Sequence, residues 1–79
     1  MAEPIAFDLE VDAAGLNCPL PILKAKKALA SLSSGQVLKV IATDPGALRD
    51  FEAFAKQTGN ALLAHESEGA ARSFFLKRR

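Results

Sequence analysis

The sequence predicts an α+β fold, a two-layer α/β sandwich of order βαβαββ with two helices on one face of a four-stranded mixed sheet. Two observations carry this. Two segments repeat apolar residues at helical spacing, and each follows a short run with strand character. Two further strand-like runs close the chain, separated by a Glu68-Gly69 turn. Four short strands and two striped helices bury their apolar surfaces by stacking as two layers.

Taken in order, Ile5 to Val11 alternates, with Ile5, Phe7, Leu9 and Val11 on one side and Ala6, Asp8 and Glu10 on the other. Period two over that length is a strand with one buried face. Ala13 to Asn17, with Gly15 inside it, is a loop. Pro19 then suits the first position of a helix, where a missing N–H costs nothing. Ile22, Ala25, Leu29 and Leu32 recur at helical spacing with Ala28 beside them, and Ser33-Ser34-Gly35 ends the helix. Val37 to Ala42 is nearly all apolar and rich in branched side chains, the pattern of a central strand. Asp44 as cap and Pro45 as first residue open a second helix. Leu48, Phe51, Phe54 or Ala55, and Thr58 share one face of it, and Glu52 and Lys56 can pair across another. Gly59-Asn60 is a left-handed stop. Ala61 to Ser67 and Ala70 to Lys77 are the last two strands. Phe74 and Phe75 are adjacent, so a strand sends them to opposite faces.

Size and composition bound the possibilities. A chain of 79 residues has room for one domain, residues 1–79, and one modest core. Hydrophobic residues at 49% and charged residues at 24% give a globular balance rather than a disordered one. Cys18 is the only cysteine, so no disulfide forms within the chain, which fits a reducing compartment. Met1 to Glu10 lacks the basic start and long apolar run of a leader, and no apolar stretch approaches the ~18 residues of a membrane span. The expected location is cytoplasmic. A net charge of +1 gives no strong pull toward nucleic acid or anionic lipid. The basic clusters Lys24-Ala25-Lys26-Lys27 and Lys77-Arg78-Arg79 lack the interleaved aromatics of a single-strand platform.

Chemistry concentrates in Gly15-Leu16-Asn17-Cys18-Pro19-Leu20-Pro21. Cys18 falls just before a helix, where the positive end of the dipole favours an anion, so a lowered thiol pKa is expected. Pro19 and Pro21 remove two of the first-turn donors and fix the backbone, leaving the Leu20 N–H as the expected donor to sulfur. Lys24, Lys26 and Lys27 lie within two turns of Cys18 and are candidates for a docking rim that also steadies a thiolate. His65 is a single histidine in a strand, and one His with one Cys does not make a zinc site. Thr43 to Gly46 reads as helix capping and lacks the Lys of a phosphate loop.

Gly15-Leu16-x-Cys18-Pro19-x-Pro21, followed by Gly35, Asp44-Pro45-Gly46, Asp50, Gly59 and the Glu66-to-Gly69 turn, resembles the TusA/SirA family of sulfur carriers from Ile5 onward. The resemblance implies a βαβαββ sandwich whose cysteine accepts sulfane sulfur from a cysteine desulfurase or a rhodanese-like enzyme. It implies that the sulfur then passes to an acceptor protein in tRNA thiolation, cofactor synthesis or sulfur oxidation. Handling of thiosulfate or selenium would use the same thiol. Cys18 carries over as the persulfide-bearing nucleophile, with Gly15, Leu16, Pro19 and Pro21 as its framework. Many members have an acidic residue between the prolines, where this chain has Leu20.

Sulfur exchange of this kind needs a docked partner but no metal or cofactor, so a monomer without independent turnover is expected. A different class stands beside it: a non-catalytic regulatory or RNA/protein-binding module of the same fold, using the sheet or the basic helix face. Under that reading Cys18→Ser is silent and changes at Lys24 and Lys27 are damaging; for a carrier the order reverses.

Overall fold

The computed structural model describes residues 5–79; Met1–Pro4, the first part of the segment read above for a leader, lie outside the described residues. The chain runs β1 (Leu9–Ala13), α1 (Leu20–Ala30), β2 (Val37–Ala42), α2 (Ala47–Thr58), β3 (Ala61–Glu68) and β4 (Ala71–Lys77). The sheet order is β1-β2-β4-β3, with β1 parallel to β2 and the other neighbours antiparallel. This is the expected mixed sheet.

Both helices lie on one face. From the sheet, Ala13, Leu38, Val40, Ala42, Phe74 and Leu76 are buried against Ala25 and Leu29 of α1 and Ala47, Phe51 and Phe54 of α2. The Phe51 and Phe74 rings stack with centroids 4.6 Å apart, and Phe54 meets Phe51 edge-on at 6.4 Å. Each fully buried aromatic contributes about 1.5–3 kcal/mol by leaving water. α1 grips with smaller groups, Pro21, Ala25 and Leu29.

Phe74 and Phe75 diverge as a strand requires, yet both are buried. Phe75 lies on the face away from the helices, where Phe7 covers it at 6.4 Å and Lys39 Nζ sits 5.2 Å from the Phe7 ring. The strand expected from Ile5 to Val11 therefore begins only at Leu9. Asp8 is the break. Its N–H donates to the Val37 carbonyl at 2.8 Å, and its carboxylate accepts from the Val37 N–H at 2.8 Å. With Asp8 so engaged the chain bends, and Phe7 serves the opposite face from Leu9 and Val11.

α2 also starts two residues later than its sequence suggests. Asp44-Pro45-Gly46 closes a turn through the Ala47 N–H to Asp44 O (3.0 Å), and Gly46 is the N-cap, without a side-chain cap bond. Gly59 stops the helix as expected, at φ 80° with its N–H on Ala55 O (2.9 Å). The ion pair found among the described residues is Lys39–Glu10 at 3.4 Å, across β1 and β2, rather than Glu52–Lys56.

Candidate functional site

Parallel pairing decides where the site lies. Ala13 at the end of β1 is in register with Ala42 at the end of β2. Both strands therefore release their chains at the same edge of the sheet, and each chain passes through a short loop into a helix start. The loops are tied together. The Gly15 N–H donates to Thr43 Oγ1 at 2.8 Å across 28 residues, and Gly15 adopts φ 80°, a conformation that glycine takes without cost. Ala14 N–H on Asp12 Oδ1 (2.9 Å) and Leu16 N–H on Ala13 O (3.2 Å) shape the rest of the turn. Leu16 packs against the core and anchors the loop.

Cys18 stands at the tip of this loop, exposed and unbridged. Pro19 is the N-cap of α1, not its first helical residue, and Pro21 is the proline inside the first turn. The bond between Cys18 and Pro19 is cis. The Leu20 N–H does not serve the sulfur: it donates to Asn17 O at 2.8 Å. Pro19 and Pro21 have no N–H at all, so the first turn of α1 is poor in the donors that would stabilise a thiolate. Leu20 and Leu23, 47% and 53% exposed, make this turn an apolar surface beside the sulfur.

What shares a groove with the thiol comes from α2 and the loop before it. Cys18 shares a shallow groove with Asp44, Pro45, Arg49, Asp50 and Glu52. The hydrogen-bonding pull of the Asp50 carboxylate, then loss of water, then the negative charges of Asp50 and Asp44 push the Cys18 thiol up from its ordinary value. The expected lowering by the helix dipole is thereby overturned in direction. The causes of the rise are the carboxylates and the loss of water, and at the start of α1 Pro19 and Pro21 supply no N–H while that of Leu20 is taken by Asn17 O. Among the described residues Asp44 Oδ2 is buried without a hydrogen-bond partner.

The three lysines lie elsewhere on α1. Lys24 Nζ donates to Asp12 O at 3.2 Å, and Lys24 and Lys27 line a groove against β1. Lys26 lines another, with Arg78 and Arg79. None borders the groove that holds Cys18. His65 is on the far edge strand β3, its ring 6.3 Å from Phe74. Among the described residues no group of three metal-binding side chains is found, and no helix is long and apolar enough to cross a membrane.

The contribution of Asp44 and Asp50 to the thiol's surroundings is what sequence reading missed. The signal was available in the order of elements: two parallel neighbouring strands, each followed by a proline-containing loop and a helix, must bring the two helix starts together.

A two-layer sandwich that presents one exposed cysteine at a helix start, on a Cys-Pro-x-Pro turn, defines a class of small thiol-bearing domains. The comparisons identify which. The family described as Sulfurtransferase TusA matches residues 9–78. The sulfur carrier protein TusA of Allochromatium vinosum is 64% identical over 72 residues, covering 91% of this chain and 95% of its own. A putative sulfur carrier protein of Neisseria meningitidis is 62% identical over 60 residues, covering 75% and 81%. The crystal structure of a SirA-like protein from Desulfitobacterium hafniense superposes with a TM-score of 0.74 at 26% identity, covering 89% of this chain and 96% of that one. The chain belongs to the TusA family.

Proposed function

We propose that this chain is a sulfur carrier that holds sulfane sulfur as a persulfide on Cys18 and relays it between proteins. The observation that supports this most directly is the placement of its single cysteine, exposed on a proline-stiffened turn and clear of the core. Such a sulfur meets a partner without unfolding anything. Membership of a family whose relatives are named sulfur carriers points the same way.

Loading is an exchange between sulfurs. The Cys18 thiolate attacks the outer sulfur of a donor persulfide; the S–S bond of the donor breaks as the new one forms, and the donor cysteine leaves as a thiolate that takes up a proton. Unloading repeats the step with an acceptor thiolate attacking the outer sulfur on Cys18. No net oxidation occurs, so neither metal nor redox cofactor enters. The donor in this reading is a cysteine desulfurase or a rhodanese-like enzyme. The acceptor is a protein of tRNA thiolation, cofactor synthesis or sulfur oxidation.

Residues 1–79 act as one domain in the cytoplasm in this reading, monomeric between encounters. Gly15 and Leu16 fix the loop, Pro19 and Pro21 fix the turn, and Leu20 and Leu23 offer apolar contact to the docked enzyme. Lys24, Lys26 and Lys27 form an outer rim on the other sides of α1, available to acidic partner surfaces rather than to the sulfur.

Intact mass after incubation with a cysteine desulfurase and cysteine tests the proposal. A gain of one sulfur atom that a reductant removes, and that Cys18→Ser abolishes, is the expected result. Absence of that gain with this donor and with a rhodanese plus thiosulfate, while Cys18 alkylates freely, would move the assignment to a binding module.

A further inference from the structure

The helices cover one face of the sheet, yet a large side chain on the other face is also shut away from water. Leu38, Val40, Phe74 and Leu76 face the helices, so their neighbours along the strands, Lys39 and Phe75, point the opposite way. Phe75 is only 4% exposed there. Its cross-strand neighbours are Lys39 on β2 and Ala64 on β3. The cover comes from residues 5–8, which belong to no helix or strand and supply none of the residues buried beneath the helices. The Phe7 ring lies 6.4 Å from the Phe75 ring, and Lys39 Nζ stands 5.2 Å from the first centroid and 5.9 Å from the second. Glu10 steadies that ammonium at 3.4 Å. Asp8 completes the contact: its carboxylate accepts from the Val37 N–H at 2.8 Å, and its own N–H donates to the Val37 carbonyl at 2.8 Å. Phe7 remains 43% exposed, so its ring is laid on this surface rather than built into the core.

We propose that the free face of the sheet is a binding site for an aromatic residue followed by an acidic one, filled in cis by Phe7-Asp8 and taken over by a partner protein that displays the same pair. Each half of the pair is recognised separately. A ring gains from contact with Phe75 and from the Lys39 ammonium near its face. A carboxylate gains from the Val37 N–H, in a bond that its charge strengthens. The Lys39 charge selects further for an acidic segment. The occupant's backbone N–H then meets the Val37 carbonyl, as that of Asp8 does. Displacing residues 5–8 leaves the two layers in place, because the core between them contains none of these residues. The site lies at Val37, the first residue of β2, whereas the loop that lines the Cys18 groove follows Ala42, the last. A partner seated here therefore leaves the sulfur open to a second protein.

The test is a titration of the full chain with the peptide acetyl-Ile-Ala-Phe-Asp-amide, the sequence of residues 5–8, followed by the backbone amide signals of Val37, Lys39 and Phe75. In the wild type Phe7 competes, so only the open fraction of the site binds. Phe7→Ala vacates the ring position and should bind the peptide about fivefold more tightly than the wild type does. Replacing Phe by Ala in the peptide should abolish the shifts, and replacing Asp by Asn should weaken them. Lys39→Gln, added to Phe7→Ala, should narrow the difference between the Asp and Asn peptides. The alkylation rate of Cys18 should be the same in the wild type and Phe7→Ala. A folded Phe7→Ala that shows no saturable shift, or that binds the Phe and Ala peptides equally, overturns the proposal. Shifts at the same three amides on raising the protein concentration alone would also overturn it, since the occupant would then be the Phe7-Asp8 of a second copy. Should Phe7→Ala fail to fold, the wild type decides: the peptide must move the Phe7 amide signal together with that of Val37, and a peptide that moves neither refutes the site.

Discussion

The two helix starts lie side by side; both carry a proline and neither has a side-chain cap, yet they differ in charge. α1 opens on Cys18-Pro19-Leu20-Pro21, without a side-chain cap and without an acidic residue in its first turn. α2 opens on Asp44-Pro45-Gly46 and carries Asp50 in its first turn. One start lacks two backbone donors at its prolines and displays a sulfur; the other has gathered negative charge and shares a groove with it. A helix start is usually treated as an anion site in its own right. Here the more informative unit is the pair, since the second helix sets the electrostatics of the first.

The pair differs in anchorage too, and that is where the largest effect is expected. α2 is held by Phe51 stacked on Phe74, α1 by Pro21, Ala25 and Leu29. Phe51→Ala should cost about 3–5 kcal/mol, a large share of the stability of so small a domain, and should release the carboxylates together with the helix. Urea unfolding monitored by circular dichroism measures it. Leu29→Ala should cost less within its range of about 2–5 kcal/mol, and a result in which it exceeds Phe51→Ala would place the main anchor on α1 instead.

A smaller break targets the tie between the two loops. Thr43→Val removes the hydroxyl that accepts from the Gly15 N–H while keeping the side-chain shape. The expected loss is about 0.5–1.5 kcal/mol, with an unchanged slope against denaturant. Faster amide exchange should be confined to the Gly15–Asn17 turn and leave β2 protected. Exchange that spreads into β2 would mean that the bond supports the sheet rather than the loop.

How legible this was in the sequence depended on the range of the interaction. β2 falls at Val37–Ala42 as read, because a dense branched run has one sensible conformation. The Gly59 stop was equally readable, since left-handed backbone selects glycine. Alternation at Ile5, Phe7, Leu9 and Val11 misled, because the hydrogen bonds of Asp8 to Val37 turn the chain between Phe7 and Leu9. The position of Cys18 just before a helix was legible from its own neighbours. The carboxylates opposite it were not, because Asp44 and Asp50 reach the thiol only through the register of β1 on β2. Local rules place a sulfur at a helix start and imply an easily ionised thiol; the carboxylates that long-range pairing brings to it push the thiol the other way.

The third effect concerns donors on α1 itself. Pro21→Ala restores one N–H in the first turn, and the new donor should ease ionisation of Cys18, raising its alkylation rate modestly at fixed pH. The same change adds freedom to the unfolded chain, at a cost of about 0.4–1 kcal/mol. A slower rate would mean that the proline ring positions the sulfur more than its missing donor starves it.

The smallest expected effect is a matter of sign. The native thiol holds its proton more tightly than an unfolded cysteine does, because Asp50 and Asp44 oppose the thiolate. Folding is therefore favoured by this group at pH below the ordinary thiol value of 9.0, and the advantage is lost as pH rises through the higher native value. The difference in melting temperature between the wild type and Cys18→Ser isolates it, since every other titrating group is common to both. That difference should stay constant from pH 7 to about 9 and then turn against the wild type at higher pH. The sulfur is exposed, so water screens the interaction and the turn will be slight. Its direction is what discriminates. A wild type that gains on Cys18→Ser as pH rises would show that the native thiolate is preferred, and that the donor-poor start of α1 still outweighs the carboxylates of α2.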